Sequence, residues 1–544
     1  MKPIALLILG SVLSAAAVRA EPLADISADR IKNDVRMLSS DAFLGRGPGE
    51  PGEAKATAYI SEVFAKAGLQ PAGDNGGWLQ DVPLVRLDRQ PGAMLSLSLA
   101  GERVPLQLGR NATLGLITPG HTALENVPLV FAGWGSVDPA RGWDAYDGAD
   151  LAGKIAVVLT NDPDFEAGKN LGFEGKRMVY AGRVGAKFAA AAKAGAIGVL
   201  VIHEEAGASY PFTQLASGDA LPAMALEPLQ PNGLKFTSWL ALDVANQLLT
   251  SAKLDLAALK IRARDPKFRA FRIAGATLSM QGDLKSTQIV SHNVLAKLTG
   301  STQPQEYVLY GAHFDANGQN GPDARGDAIR NGAIDNATGT AEVLEIARAF
   351  KAAPTARTVI FALWTAEEKG LLGSEYYAAH PLYPLAKTAA VINLDPHVVL
   401  PAARDIELIG GGRTNLENDL ARAATAQHLR VTEEPSSEAG WYFRSDQFSF
   451  ARRGVPALTF RAGRDLVEGG TVAGQRIVSR YNTACYHQPC DEFDPGWTFA
   501  GTVQEATVAY LVGNGISNSA SWPVWNRGNE YEALRQKTDA ERAK

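Results

Sequence analysis

Apolar residues along this chain gather into short unbroken runs that end in polar or glycine-rich turns. The run Thr358-Val359-Ile360-Phe361-Ala362-Leu363 is β-branched and apolar throughout, the pattern of a strand buried on both faces of a parallel sheet. After Trp364-Thr365-Ala366 come two adjacent carboxylates, Glu367 and Glu368, and then a helix start at Glu375-Tyr376-Tyr377. The same alternation of strand and helix runs from Phe271 onward. Ser291–Lys297, Glu306–Gly311, Ala389–Asp395, Arg404–Ile409 and Val455–Phe460 read as strands. Helical spacing puts Val343, Leu344, Ala347 and Phe350 on one face, and a further helix is expected over Asn415–Leu429. The fold class expected is α/β, a mixed sheet sandwiched by helices.

Upstream, Ser27–Leu69 reads as two helices around a Gly/Pro-rich loop, Ser39–Gly49, with Tyr59, Ile60, Val63 and Phe64 on one face of the second. The character changes between Asn126 and Ile273. Val127–Phe131, Lys154–Leu159 and Gly198–Ile202 read as strands and Val184–Ala194 as an alanine-rich helix. This reads as a small β-rich unit with its own core, inserted into the main domain; its His203 stands alone and reads as a packing or surface residue. The division expected is 1–20 as a leader, 21–125 as the first part of the main domain, 126–273 as the insertion, and 274–544 as the catalytic part.

At 544 residues the chain exceeds one core. Its net charge of −5 gives no basic surface for nucleic acid. Met1-Lys2, the apolar stretch Pro3–Val18 and the small residues before Glu21 read as a secretory signal peptide, too short to span a membrane. The expectation is an exported protein, periplasmic or secreted, with no stable membrane insertion after cleavage. The only cysteines, Cys485 and Cys490, are close enough in sequence to form a disulfide in an oxidising compartment.

Five residues stand out as candidate metal ligands: His313, Asp335, Glu368, Asp395 and His487. Most follow an apolar run or a glycine-rich turn, so one sheet edge could gather them. Imidazole with carboxylate suits zinc, and five ligands exceed what one catalytic zinc uses. They fit two Zn2+ ions sharing a carboxylate. Asp315, two residues after His313, is placed to orient that imidazole.

His313-Phe314-Asp315, Asp335-Asn336-Ala337-Thr338-Gly339, Glu367-Glu368, Asn393-Leu394-Asp395 and Tyr486-His487-Gln488-Pro489 together resemble the motifs of the co-catalytic di-zinc aminopeptidase family, which includes glutamate carboxypeptidase, glutaminyl cyclase and transferrin receptor relatives. The Asn126–Ile273 unit resembles the protease-associated domain that many members carry. The resemblance implies a zinc-dependent exopeptidase acting on peptides, removing N-terminal amino acids. It implies that Asp335 bridges the ions, that His313 and Asp395 complete one, and that Glu368 and His487 complete the other. Glu367 becomes the general base, taking a proton from a metal-bridging water and returning it to the leaving amine. Tyr442 matches an oxyanion-steadying tyrosine of some members, and the Asp335-Asn336 peptide bond is expected to be cis. A carboxypeptidase or dipeptidase on the same scaffold, a mono-zinc glutaminyl cyclase and a non-catalytic binding protein are the alternatives. Arg444, Arg461 and Arg464 bear on the first, since arginine binds a substrate carboxylate well. His397 reads as a packing residue rather than a ligand.

Overall fold

The computed structural model describes residues 25–230, 232–352, 354–396 and 398–542. The leader read at residues 1–20 and His397 lie outside the described residues. Both amino-terminal helices form. Helix α1 (Ala28–Leu38) begins at Ser27, whose hydroxyl accepts the Arg30 N–H, and it buries Ile31, Val35 and Leu38 at helical spacing. Helix α2 (Pro51–Lys66) opens on a proline, which gives up only an N–H that has no intrahelical partner there, and buries Ala56, Ile60, Val63 and Phe64. The loop between them tightens into a turn, Asp41–Arg46, in which Leu44, Gly45 and Arg46 all take positive φ.

Strands β1 (Leu79–Arg89), β2 (Met94–Leu99), β3 (Gly120–Phe131), β4 (Ile155–Leu159), β5 (Gly198–Ile202) and β6 (Phe236–Leu240) build the inserted region. Strands β3, β4, β5 and β6 pair in parallel, in that order. They bury Leu129, Val157, Leu200 and Phe236 in a core of their own. Asn126 falls inside β3. A single long strand, β7 (Phe271–Leu298), runs out of this region into the main sheet. It pairs antiparallel with β3, β2 and β1 along most of its length.

The main sheet adds β8 (Gln303–His313), β9 (Arg357–Trp364), β10 (Thr388–Asn393), β11 (Asp405–Leu408), β12 (Arg430–Glu433) and β13 (Ala457–Ala462). Its order is β7-β9-β8-β10-β13-β11-β12, with β9, β8, β10 and β13 mutually parallel. Every residue of β9 and β10 is buried, as expected for parallel strands covered on both faces. On one face lie α1, α2, α3 (Gly339–Phe350) and α4 (Ala500–Ser517), joined through Phe64, Leu344, Phe350 and Val508. On the other, Tyr377, Phe448, Phe450 and Trp525 close the sandwich. The helix expected over Asn415–Leu429 spans Leu416–Ala426.

Candidate metal centre

The chain leaves β8 for β9 on one side and later returns to β10 on the other. The carboxyl end of β8 is therefore a point where the strand order reverses, the place where open α/β sheets bind ligands. His313 ends β8, level with Trp364 of β9, and Gly311 lies level with Asn393 of β10. Chain segments leaving these ends carry Glu367-Glu368 and Asp395 to the same edge. Asp335 comes from the turn before α3, where the Asp335-Asn336 bond is cis. His487 comes from the loop closed by the Cys485–Cys490 disulfide.

These side chains converge. His313 Nε2 lies 3.2 Å from Asp335 Oδ1, 3.7 Å from Asp395 and 3.8 Å from Glu367. His487 Nε2 lies 3.2 Å from Asp335 Oδ2 and 3.2 Å from Glu368. Asp335 thus turns one oxygen to each imidazole. Two groups of potential ligands result, His313 with Glu367 and Asp395, and Asp335 with Glu368 and His487.

The zinc fit can be tested on two observations. His313 Nε2 is buried and makes no hydrogen bond, although carboxylates surround it. Two atoms each about 2.1 Å from one tetrahedral zinc stand about 3.4 Å apart, within the spread of the distances above. The electrostatics agree. Asp315, Asp335, Glu367, Glu368, Asp395 and Asp446 crowd around the two histidines. Burial pushes the Glu367 carboxyl well above its ordinary range, and Asp446, Asp395 and Glu368 add to that against the pull of His313. His487 is raised against the effect of burial, chiefly by Glu368 and Asp335. Such a set of donors calls for multivalent cations.

Asp315 is fully buried beneath the site. Its carboxylate accepts the N–H groups of Glu367 (3.1 Å) and Glu368 (3.4 Å), and its main-chain carbonyl is hydrogen-bonded to His313 Nδ1 at 3.2 Å. It therefore fixes both acids as well as the imidazole. Above the carboxylates opens a cavity of about 480 Å³. Tyr180, Arg183, Tyr210 and Trp239 of the inserted region form one wall; Trp441, Phe443, Phe448 and Tyr486 form another.

Tyr442 requires a correction. It does not line this cavity. Its ring is buried under the Arg413 guanidinium, and its hydroxyl is directed at the Ala457 carbonyl, 3.4 Å away. The chain turns between Gly440 and Phe443, so the neighbouring Trp441 and Phe443 face the cavity while Tyr442 faces the core. Tyr486 lines the cavity, as do Tyr180, Tyr210 and Tyr481, and its ring stacks on His487 at 3.8 Å. It directly precedes a candidate ligand, and that adjacency was the available sequence signal. Arg464 is held by Glu407 and Gln475, and Arg461 by Glu407, though Arg461 reaches the cavity wall.

Other residues emerge only from the fold. Arg46, fully buried, donates to the carbonyls of Phe314, Leu38, Asn331 and Gly332 at 2.6–2.9 Å. Asp446 is fully buried, and burial raises it to about 7 against the pull of His313 and the nearby Ser374 hydroxyl. Asp491 joins the His487 loop to the Asp335 turn.

Fold and site together define a class: an α/β protein whose sheet edge carries linked imidazole–carboxylate groups suited to divalent metal. Residues 293–511 match peptidase family M28 and residues 125–230 match the PA domain. One segment of the chain thus resembles peptidase family M28, and the segment before it resembles the PA domain. A probable zinc metalloprotease of Pyrenophora teres f. teres (strain 0-1) is 41% identical over 102 residues, 19% of this chain and 22% of that protein. Aminopeptidase Y of Saccharomyces cerevisiae is 29% identical over 214 residues, 38% of this chain and 35% of that protein. The chain therefore aligns with only about a fifth to a third of the length of these relatives. The aminopeptidase from Aneurinibacillus sp. strain AM-1 shares the fold, with a TM-score of 0.53 over 91% of this chain and 95% of that chain at 19% identity.

Proposed function

We propose that this chain is an exported di-zinc exopeptidase that removes N-terminal amino acids from peptides. The observation that carries the reading is Asp335, which presents one oxygen to each histidine and so ties two ligand groups into one site. His313 and Asp395 would hold one ion, Glu368 and His487 the other, and Asp335 both. Zinc bound there supplies a Lewis acid for the scissile carbonyl and lowers the pKa of water. Every further step belongs to the chain itself. Glu367, whose carboxylate stands 3.8 Å from His313 Nε2, takes the proton of the attacking water and delivers it to the leaving amine. The Tyr486 hydroxyl steadies the carbonyl oxygen as charge develops there. Asp315 keeps His313, Glu367 and Glu368 in register throughout. The carboxylate-rich floor attracts the ammonium of a free N-terminus. Export is supported by the apolar leader and by a disulfide beside the site.

A specific observation favours a second reading, a carboxypeptidase or dipeptidase. Arg183 and Arg444 line the cavity, and neither makes an ion pair among the described residues. Arg444 stacks on Trp441 at 4.6 Å, with its Nε buried and unbonded. These guanidinium groups suit a substrate carboxylate.

The test is Glu367→Gln. The variant should keep its zinc and lose about 10²–10⁴-fold in turnover of aminoacyl nitroanilides. Activity within a few-fold of wild type refutes Glu367 as the base. A panel of free and amino-blocked dipeptides decides between the readings, since hydrolysis of the blocked ones selects the carboxypeptidase. A stoichiometry of one zinc would instead support a cyclase-like site.

A further inference from the structure

We propose that Asp491 is the positioning residue that sets the Glu368/His487 half of the metal centre, by latching the His487 loop onto the Asp335 turn. The inference rests on the two-ion reading above.

His487 is the least enclosed of the ligand candidates. Its side chain is 40% exposed, it takes φ +59°, and it sits between the cysteines of a short loop. Sheet pairing does not place it, whereas His313 and Asp395 sit at or just beyond the ends of paired strands. Something else must fix its distance from Asp335. The disulfide closes the loop on itself but leaves the closed loop free to swing against the rest of the site.

Asp491, the residue after Cys490, removes that freedom. It is 4% exposed. Its Oδ1 accepts the Ile334 N–H at 2.9 Å, and its Oδ2 accepts the Asp335 N–H at 3.1 Å. The same Oδ2 accepts the Tyr481 hydroxyl at 3.0 Å, from the helix that leads into the loop. Its backbone takes part as well. Its carbonyl accepts the Ala333 N–H at 3.1 Å, and its N–H donates to Gln488 O at 3.1 Å. One residue therefore holds the loop that bears His487, the helix before that loop and three successive amides ending at Asp335.

The consequence is asymmetric. Two of the three ligands of the Glu368/His487 position hang on Asp491, and the third, Glu368, is held separately by Asp315. At the other position only Asp335 hangs on it. Loss of the latch should therefore loosen one ion far more than the other. Residues that orient ligands in this way change metal affinity by about 10–100-fold when altered.

The experiment is chelator competition on the full-length protein loaded with zinc, comparing wild type with Asp491→Asn. The amide keeps the shape but replaces one acceptor with a donor that faces N–H or O–H groups. The expected result is two ions in wild type, one of them held about 10–100-fold more weakly in D491N and the other unchanged. Excess zinc should then restore kcat with KM unaltered. Should D491N fail to fold, Tyr481→Phe decides. It removes one bond to Asp491, and the same single ion should loosen by several-fold. Two ions in wild type with both held normally in the variant, or with both loosened alike, overturn the latch. Wild-type protein that takes up fewer than two ions overturns the two-ion reading and the latch with it.

Discussion

Arg46 offers the most direct test of how the site is supported. It lies in the glycine- and proline-rich loop between α1 and α2, far from any ligand in sequence, yet it is fully buried behind the metal centre. Its Nε donates to Phe314 O at 2.6 Å. Its Nη1 donates to Leu38 O at 2.6 Å and Asn331 O at 2.7 Å, and its Nη2 donates to Gly332 O at 2.9 Å. Phe314 follows His313, and Gly332 opens the turn that carries Asp335, so one guanidinium spans two ligand-bearing segments. Burial presses its pKa down to about 10, opposed by Asp315, Asp491, Asp335 and Glu368, so the group stays charged at neutral pH. In Arg46→Ala, the carbonyls of Leu38, Phe314 and Asn331 lose this donor, while Gly332 O keeps the Ala337 N–H. Each unsatisfied group costs about 1–3 kcal/mol, and water entering the vacated space recovers part of that. Breaking one side of a buried charged network typically costs about 3–5 kcal/mol, and the expected loss lies in that range. Arg46→Lys should recover less than half of it, because an ammonium lacks the planar fork that serves four acceptors at once. Urea unfolding followed by tryptophan fluorescence, with zinc uptake measured on the same samples, gives both readouts. A stability within about 1 kcal/mol of wild type, together with intact zinc uptake, would refute the argument, since that lies below the cost of even this one network.

Three further outcomes are expected. Tyr486→Phe should lower kcat by about 10²-fold, the usual effect of removing an oxyanion donor, whereas Tyr442→Phe should leave steady-state rates within about two-fold; equal effects of the two would return the role to Tyr442. Glu505 and Glu342 are buried behind the sheet, and burial raises both, Glu505 to about 8. A carboxyl with a raised folded-state pKa contributes stability that is full below its unfolded pKa of about 4.5 and is lost as the pH rises through about 8. Thermal melts should therefore show wild type weakening relative to Glu505→Gln between about pH 5 and pH 9, by at most about 1.4 kcal/mol per pH unit; parallel curves would sink that assignment. Asp315→Asn should lower zinc affinity and turnover together, because the acceptor of the Glu367 and Glu368 amides is altered; unchanged affinity by chelator titration would confine Asp315 to the fold.

What could be read before the structure depended on distance along the chain. His313, Glu367-Glu368 and Asp395 each follow an apolar run, and a buried strand announces both itself and the edge on which it ends. Parallel pairing then brings those edges level, so convergence of these residues was legible. The inserted region was legible for the same reason, through Ile155–Leu159 and Gly198–Ile202. Its start at Asn126 lies one residue from that of the PA match, whereas its expected end at Ile273 falls inside β7, which runs on into the main sheet. Arg46 and Asp446 were missed because nothing near them in sequence marks them, and Asp491 because its place after Cys490 does not show what its carboxylate binds. Their meaning lies in carbonyls, amides and carboxyls far away along the chain. Tyr442 was misread for a related reason. Its place in the chain resembles a family pattern, but that does not say which way a ring points in a short turn, and the Arg413 guanidinium that holds it inward lies 29 residues upstream.

The placement of unsatisfied groups connects stability to chemistry. His313 Nε2 and Asn393 Oδ1 are buried without hydrogen bonds at the ligand edge, but so are Trp134 Nε1, both oxygens of Glu342 and Ser517 Oγ elsewhere, so what sets the site apart is the crowding of imidazole and carboxylate groups around these atoms. Around them, every support is complete. Asp315 uses both oxygens, Asp491 uses both oxygens, and Arg46 serves four carbonyls. The frame is thus satisfied internally while the groups it holds are left open toward one another. That division is what a metal centre requires. The supports remove the freedom of the ligands before any ion arrives, and the open valences are then met by cations. On this view Glu367 stands apart from the ligands for a reason of its own. Burial with Asp446, Asp395 and Glu368 raises it against the pull of His313, and cations bound beside it would draw it back down, as a group that must take a proton from water requires.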